Sequence, residues 1–152
     1  SQRILDKYAT GKLNHSVLNV VELVKKAVKA GVTCPINMMV GFPDETEDEI
    51  RASIELGRRL VDAGADYCSL YVPIPFPCSQ LHTMALQGGY LGQDFDTDLF
   101  NWRRPTMKNT RVSPERIEEL QQWGWRHANR EEYVRRRLER SIGSRWQSGE
   151  TD

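Results

Sequence analysis

An apolar segment that stops abruptly at a glycine–proline turn constrains this sequence more than any other feature. Residues 36–40 are apolar apart from Asn37, and residues 41–46 read Gly-Phe-Pro-Asp-Glu-Thr. Thr46 and Glu49 have the Thr-x-x-Glu spacing of a capping box, which marks the start of a helix. The pattern therefore predicts a buried strand, a tight turn and the N-terminus of a helix.

Two interpretations of this turn stand side by side. Open and closed parallel α/β sheets bind ligands at the carboxyl ends of their strands, where such a turn lies. Gly41 lets backbone or ligand approach closely because it has no side chain. A well-formed strand-to-helix turn without a ligand explains the same residues equally well.

The alternation of the strand places Asn37, Met39 and Gly41 on one face and Met38 and Val40 on the other. In a barrel, one face would line the interior and the other would contact the outer helices. The amide of Asn37 fits a polar interior position near a substrate. It fits a hydrogen bond to a neighbouring strand or to water at least as well.

The order of elements predicts the α/β class. Valines at helical spacing predict a helix over residues 17–28, capped by Asn14 or Ser16. We expect strands at 33–41 and 67–73, which are joined by a helix over 46–63 and are therefore parallel neighbours. This αβαβ order is typical of a barrel or a doubly wound sheet.

A proline-rich loop follows the second strand. Three prolines between Pro73 and Pro77 exclude helix and sheet there, so we expect a stiff extended loop on the same face as the Gly41 turn. Cys78 and Ser79 are candidate polar groups of a ligand site between this loop and the Gly41 turn. Ser79 is better explained as the cap of a helix over 80–87.

The remainder of the chain has a different character. Residues 90–112 show no periodicity, and their scattered aromatic residues predict a loop that packs on the domain. Ser113 and Pro114 predict a helix start, with a break in that helix at Gly124. Asn129 is the candidate cap of a last helix, whose interleaved arginine and glutamate residues favour a solvated face over an RNA-binding one. We expect residues 147–152 to be frayed.

Composition excludes several classes of function. The 21 basic and 21 acidic residues balance, so net charge does not favour nucleic acid or a membrane surface. No apolar run reaches the ~20 residues that a membrane span needs, and no signal-peptide pattern is present, so we expect a cytoplasmic protein. Three scattered cysteines without a Cys-x-x-Cys pair predict no metal site. The absence of an initiator methionine and the immediate amphipathic pattern suggest a part of a longer protein.

Three segments together resemble the radical S-adenosylmethionine (radical SAM) enzyme superfamily. Residues 39–46 resemble its strand–turn motif hydrophobic-Val-Gly-Phe-Pro-Gly-Glu-Thr, with Asp44 where glycine is commoner. Residues 1–5 are similar to the segment after the fourth barrel strand of that family. Residues 75–79 are similar to its Pro-x-Pro-Gly-Thr segment, with Cys78 and Ser79 in place of glycine and threonine. The arginine-rich tail is most similar to the subgroup with an N-terminal cobalamin-binding domain.

The resemblance implies the C-terminal part of a partial (β/α) barrel over residues 1–90 and a helical extension over 91–152. It implies S-adenosylmethionine and an iron–sulfur cluster as cofactors, and cobalamin if the subgroup assignment holds. The cluster motif Cys-x-x-x-Cys-x-x-Cys is absent from this chain. The cluster ligands would therefore lie in a missing N-terminal half, which is the expected partner, and this chain alone would be inactive.

The resemblance also implies which residues contact S-adenosylmethionine. Met39 matches the position that packs on adenine. Val40, Gly41 and Phe42 shape the same side of the adenine site. Tyr71, Val72 and Pro73 match the segment that contacts adenine through its backbone. Glu45 is expected to hold the turn rather than to act in acid–base chemistry, and no residue of this chain is assigned a catalytic role. The small-molecule substrate stays unknown.

Two other classes of function stay open from the sequence. One is a non-catalytic half-barrel that only docks on a partner, which the missing cysteine motif favours for this polypeptide alone. The other is a βα-barrel enzyme with unrelated chemistry.

Overall fold

The computed structural model describes residues 1–9, 13–14 and 18–145 of this chain. Within them, two helices come first, two strands follow with a helix between them, and the rest of the chain is helical or irregular. The elements are α1 (Gln2–Tyr8), α2 (Val20–Lys29), β1 (Pro35–Met39), α3 (Glu47–Asp62), β2 (Tyr67–Tyr71), α4 (Gln80–Gln87), a 3₁₀ turn (Thr97–Leu99), α5 (Pro114–Ala128) and α6 (Glu131–Arg145).

The two strands are parallel neighbours, as the sequence predicts. Pro35 of β1 lies opposite Tyr67 of β2, and Met39 lies opposite Tyr71. Both strands are shorter than expected, because the turn begins at Gly41 and because Pro73 cannot continue a ladder. The structure thus has a mixed α/β fold built on a two-stranded parallel sheet.

The helix between the strands forms as its capping box predicts. The Thr46 side chain accepts a hydrogen bond from the Glu49 backbone N–H at 3.1 Å, and Glu49 accepts from the Thr46 N–H at 3.0 Å. Ile50 and Ile54 of α3 are fully buried against Leu70 of β2 in the main core. This helix therefore covers one face of the sheet.

The other face of the sheet carries no helix in the part of the chain that the structure describes. Asn37 and Met39 are exposed on it, and Met39 keeps 57% of its surface accessible. Ser69 and Tyr71 of β2 are half-buried beside them. The predicted alternation is confirmed for the strand, with Met38 and Val40 directed toward the core.

The outer edge of β2 is closed by side chains of the C-terminal helices. Asn129 accepts from the Cys68 N–H at 2.8 Å and donates to the Cys68 carbonyl at 2.7 Å, as a neighbouring strand would. Gln121 of α5 donates to the Leu70 carbonyl at 2.8 Å. Because these backbone groups are buried and bonded, β2 ends the sheet on this side.

The expected break in α5 at Gly124 is wrong, since α5 is continuous from Pro114 to Ala128. A Cβ atom at Gly124 would lie 2.7 Å from methyl carbons of both Ile54 and Leu70. The absence of a side chain at Gly124 lets α5 pack closely on α3 and β2. This packing keeps the helix continuous at a residue whose flexibility would otherwise favour a break.

The cap of α2 also differs from the expectation. Asn19 accepts from the Glu22 N–H, and the helix begins at Val20 rather than near residue 17. Asn14 therefore does not cap this helix, and the alternative, Ser16, lies outside the described residues together with Val17. Val24 of α2 packs with Leu60 of α3 in a second core cluster.

The segment between residues 90 and 112 packs on the domain, as its aromatic residues predict. Leu91 and Met107 are buried against Ala85 of α4. The Trp102 carbonyl accepts from the Val72 N–H at 2.9 Å, next to the end of β2. The described helices include none with the length and apolar character that crossing a bilayer requires. Residues 147–152 lie outside the described part, so their expected fraying stays a prediction.

Asn129→Ala should lower the free energy of unfolding by about 2 kcal/mol, because both backbone groups of Cys68 lose their buried partner. Urea or thermal unfolding measures this loss. Asn101→Ala is the matched control, since Asn101 is exposed and accepts one local hydrogen bond from Arg103. The control should change stability by less than about 0.5 kcal/mol. Equal losses in the two variants would refute the edge-closing role.

Candidate functional site

A buried carboxylate holds the turn after β1. Glu45 is 1% exposed, and its Oε2 accepts from the backbone N–H groups of Gly41 at 2.7 Å and Phe42 at 3.1 Å. Burial raises the pKa of this carboxyl, and the two backbone hydrogen bonds counteract part of that effect. The side chain faces backbone rather than open space, as expected for a residue that sets the turn.

Gly41 has a left-handed backbone with φ of +92°, which L side chains rarely adopt. A Cβ atom there would lie 2.5 Å from Cγ2 of Ile117 in α5. The expectation that a Gly41 side chain would point with Met39 into the ligand space is therefore wrong. The turn rotates position 41 away from the alternation of β1 and toward the core.

Asp44 connects the turn to α1. Its carboxylate accepts from Arg3 at 2.8 Å, from Lys7 at 3.0 Å and from the Tyr8 hydroxyl at 2.5 Å. Partial burial acts to raise the pKa of Asp44, but the hydrogen bonds from Tyr8, Lys7 and Arg3 outweigh it and lower the pKa to about 2. Asp44 is not left-handed, so the turn does not require the glycine that is commoner at this position.

A cleft of about 260 Å³ opens beside the turn, where the carboxyl ends of the two strands meet α1 and α4. Its walls are largely apolar and aromatic, with an amide and an ammonium group. They are formed by Lys7, Tyr8, Ala9, Met39, Phe42, Pro73, Ile74, Gln80, Leu81 and Met84. Ligand pockets are generally of this kind, and the volume suits one ring system of a larger ligand.

The structure brings together three of the residues that the sequence selected. Met39, Phe42 and Pro73 line the cleft, although they lie at the ends of two different strands. The side chains of Val40 and Val72 are buried in the main core, so they support the cleft from behind. Tyr71 is half-buried at the end of β2 and does not line the cleft.

Sequence reasoning missed the contributions of α1 and α4 to the cleft. Tyr8 lies 34 positions before Phe42 in the chain, yet the two rings stack with centroids 4.4 Å apart. Leu81 and Met84 belong to α4, whose position depends on the proline-rich loop. Local patterns predict these helices but not where they pack.

The two polar candidates of the proline-rich loop have different outcomes. The Ser79 side chain accepts from the His82 N–H at 3.1 Å and caps α4, which confirms the simpler interpretation. Cys78 is exposed and left-handed, with φ of +67°. It stands where the resembled motif has glycine, the residue that adopts this conformation most easily.

The described residues do not fit an iron–sulfur cluster. Cys34 is half-buried, Cys78 is exposed, and burial raises the pKa of the Cys68 thiol to about 11. Within the part of the chain that the structure describes, no three histidine, cysteine or acidic side chains are grouped as metal ligands would be. The cleft, in contrast, is lined mainly by apolar and aromatic side chains.

The sequence of this chain is similar to that of a known protein. In an alignment of 105 residues that covers 66% of this chain, the sequence is 30% identical to an uncharacterized methyltransferase of Pyrococcus horikoshii. This chain covers 21% of the length of that protein. No protein-family model matches the chain. The similarity is therefore to a segment of a longer protein that is named as a methyltransferase.

Gly41→Ala should lower the free energy of unfolding by about 3 kcal/mol, because it combines backbone strain with a clash against Ile117. Gly31→Ala separates the two causes, since Gly31 has φ of +79° but open space around its Cβ position. We expect the control to cost about 1 kcal/mol. Chemical unfolding measures both variants, and truncation by Ile117→Ala should reduce the difference between them. If the difference persists in that background, the clash is not its cause.

Proposed function

We propose that this chain is part of a radical S-adenosylmethionine enzyme and that its cleft holds the adenosine part of S-adenosylmethionine. The name of the Pyrococcus horikoshii relative supports methyl transfer as the reaction class. The likeness of the arginine-rich tail extends the proposal to a cobalamin-dependent enzyme, in which a separate N-terminal domain would bind the cobalamin.

The convergence of Met39, Phe42 and Pro73 on one cleft carries this proposal. The resemblance selected these residues for adenosine binding from two segments more than 30 positions apart. The cleft lies at the carboxyl ends of two parallel strands, which is the side where sheets of this kind bind ligands.

The residues of the cleft have distinct roles in this proposal. Met39 offers a polarizable thioether, and Phe42 offers an aromatic ring, as apolar surfaces for a planar base. Gln80 supplies amide donors and an acceptor at the rim, and Glu45 holds the turn that carries Phe42. When bound, S-adenosylmethionine supplies an activated sulfonium as the reactive group.

The uncovered face of the sheet supports the proposal that the partner of this chain is a missing part of the same protein. Asn37, Met39, Ser69 and Tyr71 form this face, and Met39 at its end keeps 57% of its surface accessible. The Pyrococcus horikoshii relative is about five times longer than the segment covered by this chain, since the coverage is 21%. The iron–sulfur cluster of the proposed enzyme would be bound in that missing part.

Met39→Lys in the full-length protein should weaken the binding of S-adenosylhomocysteine roughly tenfold, because it places an unpaired charge against the apolar base. Isothermal titration calorimetry measures the affinity. The melting temperature without ligand is measured for each variant, so that a loss of stability is distinguished from a loss of binding. Leu138→Lys is the matched control, because Leu138 is 49% exposed on α6 and does not line the cleft. Failure of the unmodified protein to bind S-adenosylhomocysteine would reject the proposal.

The radical class has a separate test in the complete reading frame. A Cys-x-x-x-Cys-x-x-Cys motif should occur upstream of Ser1, roughly one half-barrel earlier. Its absence would reject radical chemistry while leaving S-adenosylmethionine binding intact, and would favour a methyltransferase of another mechanism or a docking module.

A further inference from the structure

We propose that Tyr8 is a binding residue of the cleft, that it forms one aromatic wall together with Phe42, and that Asp44 is the positioning residue of this wall. The inference rests on the proposed function, because the ligand it concerns is the adenosine part of S-adenosylmethionine. It adds α1 to a site that the sequence placed on the two strands alone.

The geometry of the two rings defines the wall. The ring centroids of Tyr8 and Phe42 lie 4.4 Å apart at an interplanar angle of 22°, which is a stacked arrangement. Both residues line the same cleft, with Met39 and Met84 among the other side chains around it. A planar base thus meets aromatic and thioether surfaces, both of which interact favourably with π-systems.

Asp44 fixes the position of Tyr8 through two basic residues of α1 as well as through the Tyr8 hydroxyl group. The Tyr8 hydroxyl donates to Asp44 Oδ1 at 2.5 Å, while Arg3 and Lys7 donate to Oδ2 of the same carboxylate. Arg3 also donates to the Asp44 carbonyl at 2.9 Å. A second anchor is Glu49, whose two carboxylate oxygens accept from Arg3 at 2.9 and 2.6 Å.

The short length of α1 makes these contacts decisive. The helix has seven residues, and Ile4 is its buried apolar side chain. So short a helix is unstable by itself in water. The charged hydrogen bonds to the turn and to α3 therefore determine where Tyr8 lies. Asp44 immediately precedes Glu45 in the turn. Glu45 holds Phe42 and Asp44 holds Tyr8, so one turn positions both rings of the wall.

The test measures S-adenosylhomocysteine binding to the full-length protein and to two variants at position 8. Tyr8→Leu removes the ring and should weaken binding roughly fivefold or more, as loss of base stacking does. Tyr8→Phe keeps the ring and should weaken binding by no more than about twofold, since only the hydroxyl contact is lost. Tyr133→Leu is the matched control, because Tyr133 lies on α6 away from the cleft. It should leave the affinity unchanged.

A double-mutant cycle tests the positioning role of Asp44. Asp44→Ala removes the contacts of Arg3 and Lys7 as well as that of the Tyr8 hydroxyl. It should therefore weaken binding several-fold when Tyr8 is present and have little further effect in the Tyr8→Leu background, because coupled residues are not additive. Melting temperatures without ligand report the stability of each variant separately. Equal effects of Asp44→Ala in both backgrounds would refute the positioning role.

The outcomes separate the two proposals. If the unmodified protein binds S-adenosylhomocysteine and Tyr8→Leu binds it equally well, the inference about Tyr8 is wrong and the proposed function stands. If Tyr8→Phe loses as much affinity as Tyr8→Leu, the ring is not the binding element. Absence of binding by the unmodified protein overturns both.

Discussion

The arrangement of this site depends on one buried carboxylate. Glu45 satisfies the backbone N–H groups of Gly41 and Phe42, which would otherwise be left unpaired after the end of β1. Its hydrogen bonds hold the reversal that ends β1, directs Phe42 to the cleft and starts α3. The adjacent Asp44 then attaches α1 to the same turn. A five-residue segment thus links the core, the cleft and the first helix.

Local rules predicted the elements that depend on local interactions. The capping box at Thr46, the Ser79 cap and the Ser113–Pro114 helix start involve residues within a few positions of each other, and all three form. The parallel pairing of the strands followed from the helix between them, because such a connection requires it. The alternation along β1 also correctly separated the core face from the open face.

The features that the sequence did not reveal depend on distant parts of the chain. Gly41 and Gly124 are small because Ile117, Ile54 and Leu70 lie against them, and no local pattern indicates those contacts. The contribution of Tyr8 to the cleft depends on Asp44, which is 36 positions later. Asn129 was identified as a helix cap, whereas its side chain is used mainly to pair with β2. A side chain that acts like a neighbouring strand cannot be recognised from spacing.

Side chains close the outer edge of β2, and this limits where further strands can pair with the sheet. Asn129 and Gln121 occupy the backbone groups of Cys68 and Leu70, so another strand cannot pair there. The Val40 N–H donates to the Tyr71 carbonyl, so the backbone groups of Asn37 and Met39 point away from β2. Additional strands can therefore join only beside β1. An unprotected edge is also where unrelated chains pair and aggregate, so among the described residues the outer edge of β1 is the part of the sheet most vulnerable to misassembly.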